Sequence, residues 1–286
     1  MQKSIRIKMH FLSLSLIVLF ISPLTSNANT EPSALMGAGS HFAWIIFDAL
    51  KEDLEKATGR KTVLFGENSM LGVGCNAGIK AAIKHSKEQE TFGFVCCPLT
   101  EEEISKNNLK VYPLAKEPIL ILVNEENPIS DLTSKQVSAI FRGDVSNWKE
   151  VGGWDKPIVL VTRLHCKKRP GHWKLIEPDI KKIRQERLNV KDAKTMMKHV
   201  TQFKNALGHT GSTWIFKPTD KVKTITVDGY APTVENLRNG KYPYSRQLSA
   251  ITKTNPSPDI LKLIDAAQHG PAFLRVSKKY NLLPSN

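Results

Sequence analysis

Ile140-Phe141-Arg142-Gly143-Asp144-Val145-Ser146-Asn147-Trp148-Lys149-Glu150-Val151-Gly152-Gly153 runs on to Val159-Leu160-Val161-Thr162-Arg163. The stretch predicts the end of a helix stopped by Gly143, a turn packed under Trp148, and a buried strand closing on a lone arginine. An arginine at the carboxyl end of a buried strand points into a crevice, which is where open α/β sheets bind their ligands. Its planar guanidinium donates two parallel hydrogen bonds, the pattern an oxyanion accepts.

Outward from this block, helical and strand patterns alternate along the 286 residues, which predicts an α/β architecture. Towards the N-terminus, Ser40 caps a helix with apolar residues at Phe42, Ile45, Ile46, Ala49, Leu50, Leu54 and Ala57, stopped by Gly59. A strand is expected over 62–65. A glycine-rich loop at 72–78 then opens a second helix, and strands follow at 92–96, 111–114 and 119–123. Thr133 caps the helix that ends at Gly143. Towards the C-terminus, helical content is expected over 171–187, broken at Pro178, and a long helix over 192–207. Two final helices are expected over 258–268 and 271–280. Met196 and Met197 sit at core spacing and read as packing.

Three bases (Lys3, Arg6, Lys8), an apolar run over 11–24 and the small-residue site Ser26-Asn27-Ala28 predict a signal peptide, residues 1–28, cleaved after Ala28. The run is too short for a membrane span. The formal charge is +14, of which the leader carries three positive charges and no acid. A basic exported chain without an aromatic-and-basic RNA signature is expected to attract small anions rather than nucleic acid. No catalytic motif stands out, so no enzyme and no cofactor is expected, and nothing points beyond a monomer.

The wording closely resembles that of the periplasmic phosphate-binding proteins of ABC importers. The likeness lies in the quoted block, in Gly37-Ala38-Gly39-Ser40 as a first phosphate loop, and in the loop 72–78 as a second. Phe94-Val95-Cys96-Cys97-Pro98-Leu99 and the C-terminal signature from Ile225 to Gly229 with Tyr242-Pro243-Tyr244-Ser245-Arg246 extend it. The resemblance implies a two-lobed type II periplasmic-binding-protein-like α/β fold, each lobe a mixed sheet flanked by helices, with a hinge of two crossing strands. The lobes are expected at 29–122 plus 218–286 and at 123–217. The crossings are placed near 120–124 and 217–226. It further implies capture of phosphate or a phosphate-like oxyanion, delivered to an ABC permease or a membrane sensor.

The site is therefore expected at Gly39, Ser40, Cys75, Asn76, Cys96, Cys97, Arg163, Cys166, Arg169, Gly171 and His172. Helix N-termini at Ser40, Asn76 and near Gly171 would aim amides at one spot; Arg163, with Arg169, Lys167 or Lys168, would add charge. Yet where the family places Ser-Gly-Thr, this chain has His165-Cys166-Lys167-Lys168-Arg169-Pro170-Gly171-His172-Trp173, and cysteines occupy three loops of one cleft. These cysteines admit two readings. In an oxidising compartment they would form disulfides across the cleft. Otherwise they would be thiols for a soft ligand such as arsenite, zinc or copper(I), in a sensory protein signalling to a membrane kinase. The cleft arginines argue against a cation, so no metal site is assigned. His41, His199 and His209 show no metal spacing and read as ordinary histidines.

Overall fold

The computed structural model describes residues 33–65, 74–166, 169, 172–214 and 216–285. The leader 1–28, the loop residues 72–73, Lys167, Lys168 and Gly171 lie outside the described residues.

The first strand, β1 (Leu35–Gly39), runs into helix α1 (His41–Ala49). Leu50 interrupts the single helix expected here, and α2 (Lys51–Thr58) follows, ended by Gly59 at φ 68°. Then come β2 (Thr62–Phe65), α3 (Gly74–Ile83), β3 (Thr91–Val95) and α4 (Glu101–Asn107). β1 lies between β2 and β3, all parallel. Phe47 stacks on Phe94 at 5.0 Å and leans on Phe92 at 5.3 Å, so α1 is bolted to the sheet by aromatic contact.

β4 (Leu109–Asn124) is one strand of 16 residues where two were expected. The second part of the chain holds β5 (Asp131–Leu132), α5 (Ser134–Arg142), a 3-10 turn (Trp148–Val151), β6 (Val159–Thr162), another 3-10 turn (His172–Leu175), β7 (Leu188–Asn189), α6 (Ala193–Gln202), β8 (Ala206–Gly211), β9 (Val222–Val227) and α7 (Val234–Arg238). β10 (Ser245–Lys253), α8 (Pro258–His269), α9 (Pro271–Lys279) and β11 (Leu283–Pro284) end it.

β4 serves two sheets. From Leu109 to Pro118 it pairs antiparallel with β10, which in turn joins β3. From Ile119 onward it pairs with β8 on one side and, from Ile121, with β9 on the other. The strand orders are β2-β1-β3-β10-β4 and β7-β6-β8-β4-β9-β5. One large apolar cluster fills the first half around Phe47, Phe92, Phe94 and Phe273. Two fill the second half, around Phe141, Trp148 and Trp173 on one side and Met196, Met197 and Val200 on the other. β4 therefore changes partners at Pro118/Ile119, and the chain returns to the first sheet at Tyr244/Ser245. The expected crossings near 120–124 and 217–226 fall within or beside strands that pair inside the second sheet.

The quoted block folds as its residues dictate. Thr133 and Gln136 form a reciprocal capping box at the start of α5, and Gly143 ends it at φ 89°. Trp148 is fully buried and its indole N–H donates to the Asn205 carbonyl at 2.9 Å. Truncating such a side chain costs about 3–5 kcal/mol.

Two expectations fail. Of the region expected to be helical over 171–187, the described residues 172–187 are not helical beyond the turn at His172–Leu175. The helix expected over 192–207 stops at Gln202, with Phe203 in extended conformation, and Ala206–Gly211 becomes a fully buried strand. Periodicity cannot tell a short buried strand from a helix end. Gly208 settles it, because a Cβ there would press on Met196 Sδ and Val200 Cγ2: the strand lies directly under α6. No helix among the described residues is long and apolar enough to cross a membrane.

Candidate functional site

The residues that carry chemistry stand at the carboxyl ends of strands. Ser40 follows β1, Cys96 and Cys97 follow β3, and Arg163 follows β6; Cys75 lies in the first turn of α3. Gly39 lets β1 and β3 close, since a Cβ there would collide with the Phe94 carbonyl oxygen. Ser40 is buried, and its amide donates to that same carbonyl at 3.1 Å. Its hydroxyl has no hydrogen-bond partner among the described residues, although it sits at the N-terminus of α1. A buried hydroxyl left in that state costs about 1–3 kcal/mol.

All four cysteines are free thiols, so the disulfide reading is not what the structure holds. The Cys75 and Cys96 sulfurs are 3.8 Å apart, far beyond an S–S bond of about 2.05 Å. The chain bends at Cys96-Cys97, and the sulfurs of Cys75, Cys96 and Cys97 all lie within 4.8 Å of one another. Adjacent cysteines thus converge instead of diverging. Cys166, half-buried, joins through thiol contacts with Cys75 and Cys97.

These contacts share protons unequally. At Cys96 the Cys75 thiol pushes the pKa up and the Cys97 thiol pulls it down; the pull prevails, to about 5. Bonds from Cys75 and Cys97 draw Cys166 down to about 4 against its partial burial. Cys97 is raised, by its bonds to Cys166, Cys75 and Cys96, and keeps its proton. Cys75 is lowered as well, so of the four thiols Cys97 is the one that holds its proton most firmly.

A buried polar chain holds Cys96, reaching it through His172 of the other half. His172 Nε2 is 3.4 Å from Cys96 Sγ, and His172 Nδ1 is 2.7 Å from an Arg246 guanidinium nitrogen. Arginine only donates, so Nδ1 accepts, the ring proton is on Nε2, and that N–H points at the sulfur. Burial first, then the Arg246 charge, hold His172 well below its ordinary pKa, so the ring is neutral. Arg246 Nε donates to Glu117 at 2.5 Å, with both side chains fully buried. The two face each other directly across β10 and β4. The other Glu117 oxygen accepts from the Thr213 amide at 2.9 Å and hydroxyl at 2.6 Å. His172 sits at φ 53° and Cys166 at φ 52°, conformations that cost about 1–3 kcal/mol each and concentrate at functional sites.

Of the expected anion ligands, Arg163 is half-buried, and its Nε donates to the Lys191 carbonyl at 3.1 Å. It acts electrostatically on Cys96 and Arg246. Arg169 pairs with Glu103 of α4 and donates to Asn76 Oδ1 at 2.9 Å. Asn76 is exposed and spent on that contact. The helix N-terminus expected near Gly171 is instead a four-residue 3-10 turn.

Glu117, Thr213 and Glu103 are absent from the sequence reading, which places Arg246 only in the C-terminal signature and takes His209 as an ordinary histidine. Glu117 and Arg246 lie on buried strand faces with Ala115 and Ile119, and with Tyr244 and Leu248, so period-two alternation would have flagged a charge at an apolar position. His209, buried in β8, accepts from the Arg163 amide through Nε2 at 3.3 Å. Thr213 and Glu103 carry no sequence signal of their own.

The family model described as "PBP superfamily domain" matches residues 26–276. The chain belongs to this family. Among curated relatives it is 26% identical over 153 residues to the phosphate-binding protein PstS of Bacillus subtilis (strain 168), covering 54% of this chain and 50% of that one. It is 30% identical over 166 residues to PstS of Pseudomonas aeruginosa (strain PAO1), covering 51% and 50%. The chain spans about half the length of the curated relatives it matches. Among solved structures it is similar to a candidate phosphate ABC transporter substrate-binding protein with bound phosphate from Clostridium perfringens. That match has a TM-score of 0.71 at 24% identity, over 88% of this chain and 99% of the other. An ABC-type phosphate transport receptor from Vibrio cholerae follows, with a TM-score of 0.66 at 23% identity and the same shares. The fold is accordingly the two-lobed α/β fold of type II periplasmic binding proteins, and the family is one of binders rather than enzymes.

Proposed function

We propose that this chain is an exported solute-binding protein that captures a small oxygen-bearing anion or oxyacid between its two halves and delivers it to an ABC importer. The strand pairings favour halves of 33–118 plus 245–285 and of 119–244. The observation that carries the reading is the convergence of Ser40, Cys75 and Cys96 from one half with Arg163, Cys166 and His172 from the other. Helices α1 and α3 add N-terminal amides and positive dipole ends. Proteins similar to it are named for phosphate binding and transport, which favours an importer over a sensor kinase as the partner. Closure of two lobes on a solute follows from contacts made to both, and the site draws on both.

The ligand class is set by what replaces the hydroxyls of the phosphate loops. With thiols there, phosphate loses donors and meets negative sulfur, so the preferred solute is related to phosphate in size but not identical to it. Calorimetry with phosphate, sulfate, arsenate and arsenite on the wild type and on Arg163→Ala tests the reading. One solute of the panel should bind, and the variant should lose about ten- to hundredfold in affinity, the worth of charge-assisted hydrogen bonds. An unchanged Kd in the variant would refute the role of Arg163.

A further inference from the structure

We propose that Cys75, Cys96 and Cys97 form a three-sulfur seat for the central atom of a trivalent metalloid oxyacid, of the class of arsenite or antimonite. The inference rests on the reading of the interlobe cleft as the solute site and names the ligand class for it. The three sulfurs come from two segments, the first turn of α3 and the bend after β3, and lie within 4.8 Å of one another. Two sulfurs bound to one atom at about 2.3 Å can be no more than about 4.6 Å apart. Cys75 and Cys96, at 3.8 Å, already satisfy that limit.

The donor set excludes hard cations. Magnesium and calcium take oxygen ligands, and the cluster consists of sulfur without a carboxylate. Among soft centres, two features favour a pyramidal oxyacid over a tetrahedral cation. Three sulfurs, not four, are mutually close; Cys166 stands outside that triangle. Arg163 also acts on Cys96, and α1 and α3 begin beside Ser40 and Cys75, while the Arg246 charge is balanced by Glu117. The Arg163 charge raises the cost of a cationic centre and not that of an uncharged oxyacid. A second observation points the same way. Ser40, whose amide is bonded to the carbonyl two residues before Cys96, keeps a buried hydroxyl without a partner among the described residues, and such a group suits a ligand hydroxyl.

The chemistry balances without redox. Each sulfur forms a bond to the metalloid as one metalloid–oxygen bond breaks, and the hydroxide leaves as water, taking the proton of a thiol or, where the sulfur is already a thiolate as at Cys96, a proton from the solvent. Three cysteine sulfurs, one trihydroxide and that solvent proton thus give one trithiolate and three waters. Cys166, at the half-exposed edge, supplies the first sulfur an entering ligand meets, and His172 fixes Cys96 from behind.

The test uses the full chain, kept reduced. Arsenite is added and the remaining thiols are counted with a chromogenic disulfide, alongside native mass spectrometry. One arsenic should bind per chain with the loss of three hydrogens, and reactive thiols should fall from four to one. Cys75→Ser and Cys96→Ser, checked for folding by their melting curves, should each weaken arsenite binding at least about hundredfold. Cys166→Ser should retain the bound state and slow its formation. Four thiols still reactive in excess arsenite would overturn the proposal, as would zinc or copper(I) protecting the thiols where arsenite does not. If phosphate or arsenate binds with dependence on Arg163 while arsenite is ignored, the metalloid seat is wrong and the cleft reading survives. If arsenite binds the thiols but Arg163→Ala changes nothing, the seat stands and the role of Arg163 falls.

Discussion

His172 places its Nε2 3.4 Å from the Cys96 sulfur, reaching from the turn after β6 to the end of β3. One neutral imidazole therefore couples the two halves of the molecule and the charge state of the thiol cluster. Its orientation is fixed by Arg246, which is fixed by Glu117. Deleting the ring removes an N–H bond to a thiolate, worth about 1.5–3 kcal/mol. In His172→Ala the pH midpoint of Cys96 alkylation should rise by about 1–2 units. Iodoacetamide rates measured against pH, with Cys96→Ser as the blank, would report it. A midpoint left near 5 would show that the cysteines alone set the charge.

Glu117 and Arg246 form an ion pair with no exposure to water. Such a pair adds little compared with apolar packing, but breaking it strands a charge. Glu117→Gln leaves the Arg246 guanidinium facing an amide, and the fold should lose about 3–5 kcal/mol in urea unfolding. Glu117→Leu combined with Arg246→Met should be more stable than Glu117→Leu alone. Equal losses in the two would mean that Arg246 finds another partner.

His209 is buried, and burial first, then the His165 and Arg163 charges, pull its pKa to about 3. The unfolded chain binds a proton on this residue near pH 6.5, and the folded chain does not until about 3. Falling pH therefore favours the unfolded state through that whole window. At pH 5 His209 alone should remove about 2 kcal/mol relative to neutral pH, at about 1.4 kcal/mol per unit. In His209→Gln the urea midpoints at pH 7 and pH 5 should draw closer together by that amount. A gap as wide as in the wild type would assign the acid sensitivity elsewhere.

The parts of the fold that were legible are those specified locally. The helix after Thr133 announces itself by its cap, its apolar spacing and its glycine stop, all within eleven residues. β4 was not legible as one strand, because Pro113, Lys116, Glu117 and Pro118 read as a break. Those prolines are accommodated only through the pairing with β10, more than 120 residues away. The same distance hid the Glu117–Arg246 pair. β8 does not show in the sequence because Gly208 and Gly211 are poor strand formers, and burial between β4 and β6 makes the segment a strand. The cysteines are visible in the sequence as residue types in three loops. Their convergence depends on a bend at Cys96-Cys97 that composition does not encode.

A further link between the halves is Arg169, paired with Glu103 and bonded to Asn76. Unlike the buried ion pair, this latch is partly open to water, with Glu103 at 30% side-chain exposure, so its worth is about 0.2–1 kcal/mol. Under the proposed closure on a solute, this contact between the halves adds to the shut arrangement without touching the ligand. A ligand that selects that arrangement then gains apparent affinity in proportion to its population. Glu103→Gln should weaken binding of the cognate solute by about two- to fivefold, through faster dissociation, and should leave the thiol count and melting temperature nearly unchanged. The Arg169 bond also holds the Glu103 carboxyl below its ordinary range. The latch therefore survives mild acid and is lost only as pH falls through that depressed value. Stopped-flow dissociation rates with and without 0.5 M salt would check the assignment (about 4–5 Å of Debye screening by scaling). Salt should speed release in the wild type and leave Glu103→Gln almost unaffected. An equal salt response in both would show that Arg169 and Glu103 do not hold the cleft shut.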